Sequence, residues 1–189
     1  MASALPAQAP QPIWIEVPYV HQPPEGCGAA ALAMLIGYWT EREGLAGGFS
    51  DGTPAEREQS VAERDVYIIQ RDLSPRPGHG VSSKAIESYL QDHGYITFAL
   101  DGAWRDLERE IGMGRPLIAA IRPKGDPQLH YVVIDGVDPV RSLVVMNDPA
   151  ERKLLTEERA EFEKDWSAAH NWLLLAMPES SQISESARR

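Results

Sequence analysis

The sequence contains a single cysteine, Cys27, among its 189 residues. One cysteine excludes an intrachain disulfide framework, and no Cys/His cluster has the spacing of zinc ligands, so we expect neither a metal nor a cofactor. The sequence also lacks a hydrophobic run of the roughly 20 residues that a membrane-spanning helix needs. Positive charge is scarce, because 18 Lys and Arg stand against 28 Asp and Glu and give a net charge of −10. This charge argues against non-specific binding of nucleic acids and against attachment to anionic membranes.

The first twelve residues carry no recognisable targeting signal. They are rich in Ala and Pro and have neither the basic n-region nor the apolar h-region of a signal peptide. The start of a mature secreted protein would look the same, so a secreted and a cytoplasmic location both stay open. We predict a disordered leader over residues 1–12, one domain over 13–178 and a polar tail over 179–189, since a chain of 189 residues suits a single core.

The order of the predicted elements indicates an α+β protein in which helices precede an antiparallel sheet. One predicted helix begins at Cys27. Three others cover residues 84–93, residues 104 to 112 or 114, and residues 156–166. The predicted strands cover 14–17, 95–100, 116–121, 129–136, 142–147 and 171–177. Residues 41–80 are polar and rich in Gly and Pro, with one candidate helix near 55–63 and an apolar patch at 66–69.

Cys27 opens the most apolar stretch of the chain, which has no strongly polar side chain before Thr40. Ala, Leu and Met favour helix, and a helix that is apolar on every face is buried. We therefore place Cys27 at the N-terminus of a central core helix, where free backbone amides and the helix dipole stabilise a thiolate. The glycines on both sides of Cys27 leave its sulfur approachable, although a lone cysteine is commonly just a small buried hydrophobe.

A cysteine nucleophile needs a histidine and usually an Asp or Asn from elsewhere in the chain, and His130 and Asp148 are the candidates. His130 heads an apolar strand, and Asp148 follows the next strand, where Pro149 ends the pairing. If this hairpin pairs symmetrically about residues 138–141, position 130 lies opposite about position 149, beside Asp148. A structural histidine and an ordinary turn aspartate are the alternatives that the spacing leaves open.

Five stretches resemble the double-glycine, bacteriocin-leader-processing peptidases, which have a papain-like fold. The stretches are Val17–Gln22, Cys27–Met34, Gly112–Ile118, His130–Gly136 and Asn147–Pro149. They occur in the family's order and are most similar to its stand-alone bacterial members, which are not fused to a transporter. The resemblance implies a thiol peptidase with a peptide or protein substrate, in which an N-terminal central helix packs on a C-terminal antiparallel sheet.

The resemblance also implies a role for each candidate residue. Cys27 matches the family's nucleophile, His130 its acid and base, and Asp148 the group that orients the imidazole. Gln22 matches the side-chain amide of the oxyanion hole, with the backbone N–H of Cys27 as the second donor. Gln22 precedes Cys27 by five positions, whereas papain-like sequences more often show six, and His21 occupies that sixth position.

Two other functions remain open from the sequence. A deamidase or a transglutaminase-like enzyme would use the same acyl-enzyme step on the same fold. A non-catalytic peptide-binding module is the third possibility, but such relatives usually lose the cysteine that this chain keeps. His79, between two glycines, is interpreted as a solvated loop residue, with a place at the border of the cleft as the alternative. The tryptophans at 39, 104, 166 and 172 are predicted core residues.

Overall fold

The computed structural model describes residues 11–42, 65–73 and 80–179. The helices in these ranges are α1 (Cys27–Arg42), α2 (65–73), α3 (Ser83–Asp92), α4 (Trp104–Gly112) and α5 (Arg159–Ser167). The strands in them are β1 (Ile13–Trp14), β2 (Tyr95–Asp101), β3 (Leu117–Ile121), β4 (His130–Asp138), β5 (Leu143–Asn147), β6 (Leu155–Glu158) and β7 (Trp172–Pro178). Within the described residues these seven strands form one antiparallel sheet in the order β2-β7-β3-β4-β5-β6, with β1 paired to β4. The predicted α+β class is confirmed.

Helix α1 is the central helix that the sequence predicts, and it begins at Cys27. Its residues are buried from Gly28 to Trp39 except for the half-buried Ile36, and the helix packs on β4 and β3. Its far end is anchored by two side chains. The Trp39 indole donates to the Ala176 carbonyl at 3.0 Å, and the Tyr38 hydroxyl donates to the Gly114 carbonyl at 2.5 Å. These bonds fix the C-terminal end of the helix relative to the sheet.

The hairpin of β4 and β5 is the part of the sheet that brings two strand ends together. Val133 pairs with Asn147, close to the predicted register. The turn is closed by Asp138, whose Oδ1 accepts from the amides of Val140 and Arg141 at 3.0 and 2.9 Å. Both faces of β4 are covered, because every residue from Tyr131 to Asp138 is buried. The first residue of β4 therefore lies beside the end of β5.

Most other predicted elements are confirmed. Ser82 caps α3 by accepting from the Ala85 amide at 3.2 Å, and Gly94 follows the helix with a φ of 80°. The tryptophans that were predicted as core residues are buried or pack against the core: Trp39, Trp104, Trp166 and Trp172. On α2, Val66 and Ile69 of the predicted apolar patch are buried.

Two predicted boundaries are wrong. The first strand covers only Ile13–Trp14 and not 14–17, because after Ile15 donates to the Asp135 carbonyl the chain leaves the ladder. The predicted helix over 156–166 begins at Arg159, because Leu155–Glu158 instead pair with β5 as strand β6. Exposure alternates along these four residues, which is the period of a strand and not of a helix.

Some predictions fall outside the described residues. They are the candidate helix near 55–63, His79, and almost all of the predicted leader and tail. None of the helices in the ranges given above is both long and apolar enough to span a bilayer.

The sheet contains one buried carboxyl group without a hydrogen-bond partner, that of Asp135. It lies at a break in register between Ile134 and Gly136, is fully buried, and neither of its oxygens accepts a hydrogen bond from another described residue. Burial raises the pKa of Asp135 to about 7. Because the folded state holds this proton more tightly than the unfolded chain, Asp135 lowers stability as pH rises from about 4 to about 7.

Replacing Asp135 by Asn should therefore stabilise the protein increasingly with pH. The neutral amide cannot ionise. The difference in free energy of unfolding between Asp135→Asn and the wild type should therefore increase by about 3 kcal/mol from pH 5 to pH 8. Urea denaturation at each pH measures this gap. Asp92→Asn, at an exposed position, is the control. A difference in free energy of unfolding between Asp135→Asn and the wild type that does not change with pH would contradict the raised pKa of Asp135.

Candidate active site

Cys27 is the first residue of α1 and is half-buried. A tight turn precedes it, in which the Gly26 amide donates to the Pro23 carbonyl at 2.9 Å. A Cβ atom on Gly26 would lie 2.6 Å from Pro23 Cγ, so no larger residue fits there. A Cβ on Gly28 would lie 2.3 Å from Val81 Cγ2. The two glycines around Cys27 are therefore required by close packing against the turn and against residue 81.

His130 and Asp148 are in direct contact. His130 Nε2 lies 2.7 Å from Asp148 Oδ1 across the ends of β4 and β5. Cys27 is the second side chain that acts on His130, since its hydrogen bonding and charge both favour the protonated ring. The imidazole therefore interacts with a carboxylate and with the sulfur at the start of α1.

The electrostatics favour a charged His130. Burial of the ring disfavours its charged form, but the hydrogen bonds to Asp148 and Cys27 and their negative charges outweigh it and raise the pKa of His130 to about 9. For Asp148, burial acts to raise the pKa, yet the His130 contact and the amides of Ala150 and Glu151 hold it below its usual value. An imidazolium beside a carboxylate is therefore the state of this pair at neutral pH.

The turn after β5 holds the Asp148 carboxylate in place. The Ala150 amide donates to Asp148 Oδ1 at 2.8 Å, and the Glu151 amide donates to the Asp148 carbonyl at 3.1 Å. Asp148 itself is 7% exposed. The Ala150 amide thus orients the same carboxylate oxygen that His130 contacts.

Gln22 is fixed to this turn, whereas His21 faces solvent. The Gln22 amide donates to the Pro149 carbonyl at 2.9 Å, and the half-buried Gln22 side chain has a buried Oε1 without a hydrogen-bond partner among the described residues. His21 is exposed, with the Tyr19 hydroxyl 3.5 Å from its Nδ1. The structure therefore brings together Cys27, His130 and Asp148, and ties the backbone of Gln22 to the turn that carries Asp148.

The comparisons with known proteins decide the family. The model of the Peptidase_C39 like family matches residues 14–173. The chain belongs to this family. A search of the curated proteins finds no significant match.

Solved C39 peptidase structures share the fold. The peptidase domain of Streptococcus ComA, a bi-functional ABC transporter involved in a quorum sensing pathway, aligns with a TM-score of 0.58 at 19% identity over 87% of this chain and 98% of that one. A Bacillus anthracis chain assigned to the C39-like peptidases aligns with a TM-score of 0.62 at 16% identity over 90% of this chain and 99% of that one. The resemblance to a papain-like C39 fold that the sequence indicates is thus confirmed. Membership of the C39-like family indicates a cysteine peptidase with peptide substrates.

Two groups next to this C39-like site have no role that the sequence predicts. Tyr131 is fully buried, and its hydroxyl lies 3.1 Å from Ser83 Oγ and donates to the Val81 carbonyl at 3.2 Å. It therefore secures the segment that packs on Gly28. Asn147 is also fully buried, although it belongs to a motif that the sequence singled out. An amide inside an otherwise apolar strand, directly before the candidate aspartate, was the available signal for Asn147.

Proposed function

We propose that the protein is a thiol peptidase that hydrolyses peptide bonds with a Cys27, His130 and Asp148 triad, and that residues 13–178 form its peptidase domain. The observation that carries the proposal is the position of His130, which contacts Asp148 through Nε2 and interacts electrostatically with Cys27. Family membership supports the reaction class. The position of Cys27 at the N-terminus of α1 favours the thiolate form of its side chain.

The reaction follows from this geometry. The Cys27 thiolate attacks the carbonyl carbon of the scissile bond, and the π electrons of the carbonyl move to its oxygen. Collapse of this intermediate breaks the C–N bond, and the leaving amine takes the proton from His130 Nδ1. The neutral His130 then accepts a proton from water as its oxygen attacks the thioester. Breaking of the C–S bond releases the carboxylic acid product and restores the thiolate and the imidazolium.

Asp148 and two donors complete the proposed site. Asp148 keeps the ring of His130 oriented and stabilises its charged form, which the depressed pKa of the carboxylate supports. We assign the oxyanion hole to the Gln22 side chain and the backbone N–H of Cys27. The buried Oε1 of Gln22 supports this choice, because an amide whose oxygen points inward has its N–H₂ group on the opposite side, where it can donate to a substrate oxygen.

A peptide library with a mass-spectrometric readout tests the function. Wild-type protein should split peptides into two fragments whose masses sum to the substrate plus one water, and Cys27→Ala should not. A product one mass unit heavier than the substrate would indicate a deamidase, and a product joined to an added amine would indicate a transglutaminase-like enzyme. Peptides that bind with no product in any variant would indicate a binding module, and each of these three results would overturn the proposal.

The oxyanion assignment separates Gln22 from its neighbour. Gln22→Ala should lower kcat by about 10²–10³ while iodoacetamide alkylation of Cys27 stays nearly unchanged, because only a transition-state donor is lost. His21→Ala is the matched control and should cost far less, since the His21 side chain is exposed. If His21→Ala proves the more damaging change, the six-residue spacing is the correct register and the assignment to Gln22 is wrong.

A further inference from the structure

Asn147 is a fully buried polar residue whose side-chain amide is used at both ends. Its Nδ2 donates to the Val17 carbonyl at 3.2 Å, and its Oδ1 accepts from the Leu154 amide at 2.9 Å. Its backbone is held separately, because Asn147 pairs with Val133 in the sheet. The side chain is thus a bridge between two segments that both leave the sheet.

The two bridged segments are those that carry the site. Val17 starts the segment that runs to Gln22 and the turn before α1, and Leu154 closes the loop that begins with Asp148. The Gln22 amide donates to the Pro149 carbonyl at 2.9 Å, so the segments touch again at the site itself. Leu154 has a φ of 53°, a conformation that costs energy for a residue with a side chain and persists only where its surroundings enforce it.

Neither a carboxylate nor an apolar side chain of this size can make the same bridge. The partners are a carbonyl oxygen and an N–H group, so the bridge needs one donor and one acceptor on a single short side chain. A carboxylate at 147 would keep the bond from Leu154 but would place an oxygen against the Val17 carbonyl. An apolar residue would leave both backbone groups buried and unpaired.

We propose that Asn147 is a positioning residue, which holds the Gln22 segment against the Asp148 loop and thereby keeps Asp148 in contact with His130. Its effect on turnover rests on the proposed function, whereas its effect on the contact between His130 and Asp148 does not. The residue touches neither substrate nor the reacting atoms. It acts on Asp148, the next residue in the chain, and on Gln22 through its hydrogen bond to Val17.

NMR titration of the His130 ring tests this positioning directly. In the wild type the midpoint should lie near 9. In Asn147→Ala and Asn147→Ser, neither of which adds a charge, the midpoint should fall by about one pH unit, because a weaker contact with Asp148 stabilises the imidazolium less. On the peptide that the wild type cleaves fastest, kcat should fall about 10- to 100-fold while KM changes little, as expected when reacting groups are misplaced.

Tyr38→Phe is the control, because it also removes a bond from a side chain to a backbone carbonyl, that of Gly114, far from the site. It should lower thermal stability and leave the His130 midpoint unchanged. Circular dichroism identifies which Asn147 variant is folded at 10 °C. A folded variant with an unchanged midpoint overturns the proposal, as does failure of both variants to fold, which would make Asn147 a residue of general stability. Absence of peptide hydrolysis in the wild type would overturn the proposed function but not the titration result.

Discussion

Cys27→Ala and His130→Ala should each lower kcat for peptide hydrolysis by about 10⁶-fold, because a nucleophile and its proton donor act as one unit. Without the sulfur no thioester forms, and without His130 the leaving amine has no proton source at the site. The double variant should be no worse than either single variant. Initial rates on one good peptide, followed by liquid chromatography, measure all three.

The alkylation of Cys27 provides a second measurement on the same variants. His130→Ala should slow iodoacetamide modification at neutral pH, because the imidazolium that stabilises the thiolate is gone. His93→Ala is the matched control, since His93 is exposed and stacks on Tyr89. Substantial turnover in His130→Ala would require another base, with His79 the first candidate, and would contradict the proposed triad.

Asp148→Asn should lower kcat by about 10⁴-fold, the second largest loss that we expect. The reason is that an amide in place of the carboxylate orients the wrong imidazole tautomer. The base itself remains, so residual activity should persist. The His130 midpoint should fall from about 9 toward 6.5, its ordinary value. Kinetics and NMR titration of the same variant therefore report on one contact, that of His130 Nε2 and Asp148 Oδ1.

The stability of Asp148→Asn should depend on pH in a defined window. The raised pKa of His130 stabilises the folded state fully below about 6.5 and ceases to do so as pH rises through about 9. The lowered pKa of Asp148 contributes above about 4 and is lost in acid. The free energy of unfolding of the wild type should thus exceed that of Asp148→Asn by the largest amount between about pH 4 and 6.5. Asp101→Asn, at an exposed position, is the control, and a difference that grows above pH 9 would contradict the pairing.

Local patterns were sufficient to predict the elements that carry the site. The apolar run after Cys27 predicts α1, and the apolar strands on both sides of residues 138–141 predict the hairpin that sets His130 beside Asp148. These predictions succeed because burial and hairpin geometry depend on short sequence spans. The proximity of Cys27 to His130 is different, since 103 positions separate them, and the sequence reached it only through resemblance to a family.

What the sequence did not predict depends on long-range contacts. Strand β6 has helix-forming residues such as Glu157 and Glu158, but pairing with β5 overrides that preference. The bridge of Asn147 joins Val17 and Leu154, and nothing in the local sequence specifies either partner. The choice between Gln22 and His21 likewise turns on which side chain faces inward, which depends on how Gln22 docks on Pro149.

The most direct measurement of the central claim is the capture of the acyl-enzyme. An intact peptide that the protein cleaves is mixed with the wild-type protein, and the reaction is quenched in acid within the first turnover. The protein is then analysed by intact mass and peptide mapping. The account predicts that the amine fragment is released first and that the acyl fragment is attached to Cys27 as a thioester, which hydroxylamine removes. Turnover with no adduct on Cys27 under any quench time, or an adduct on another residue, would contradict it.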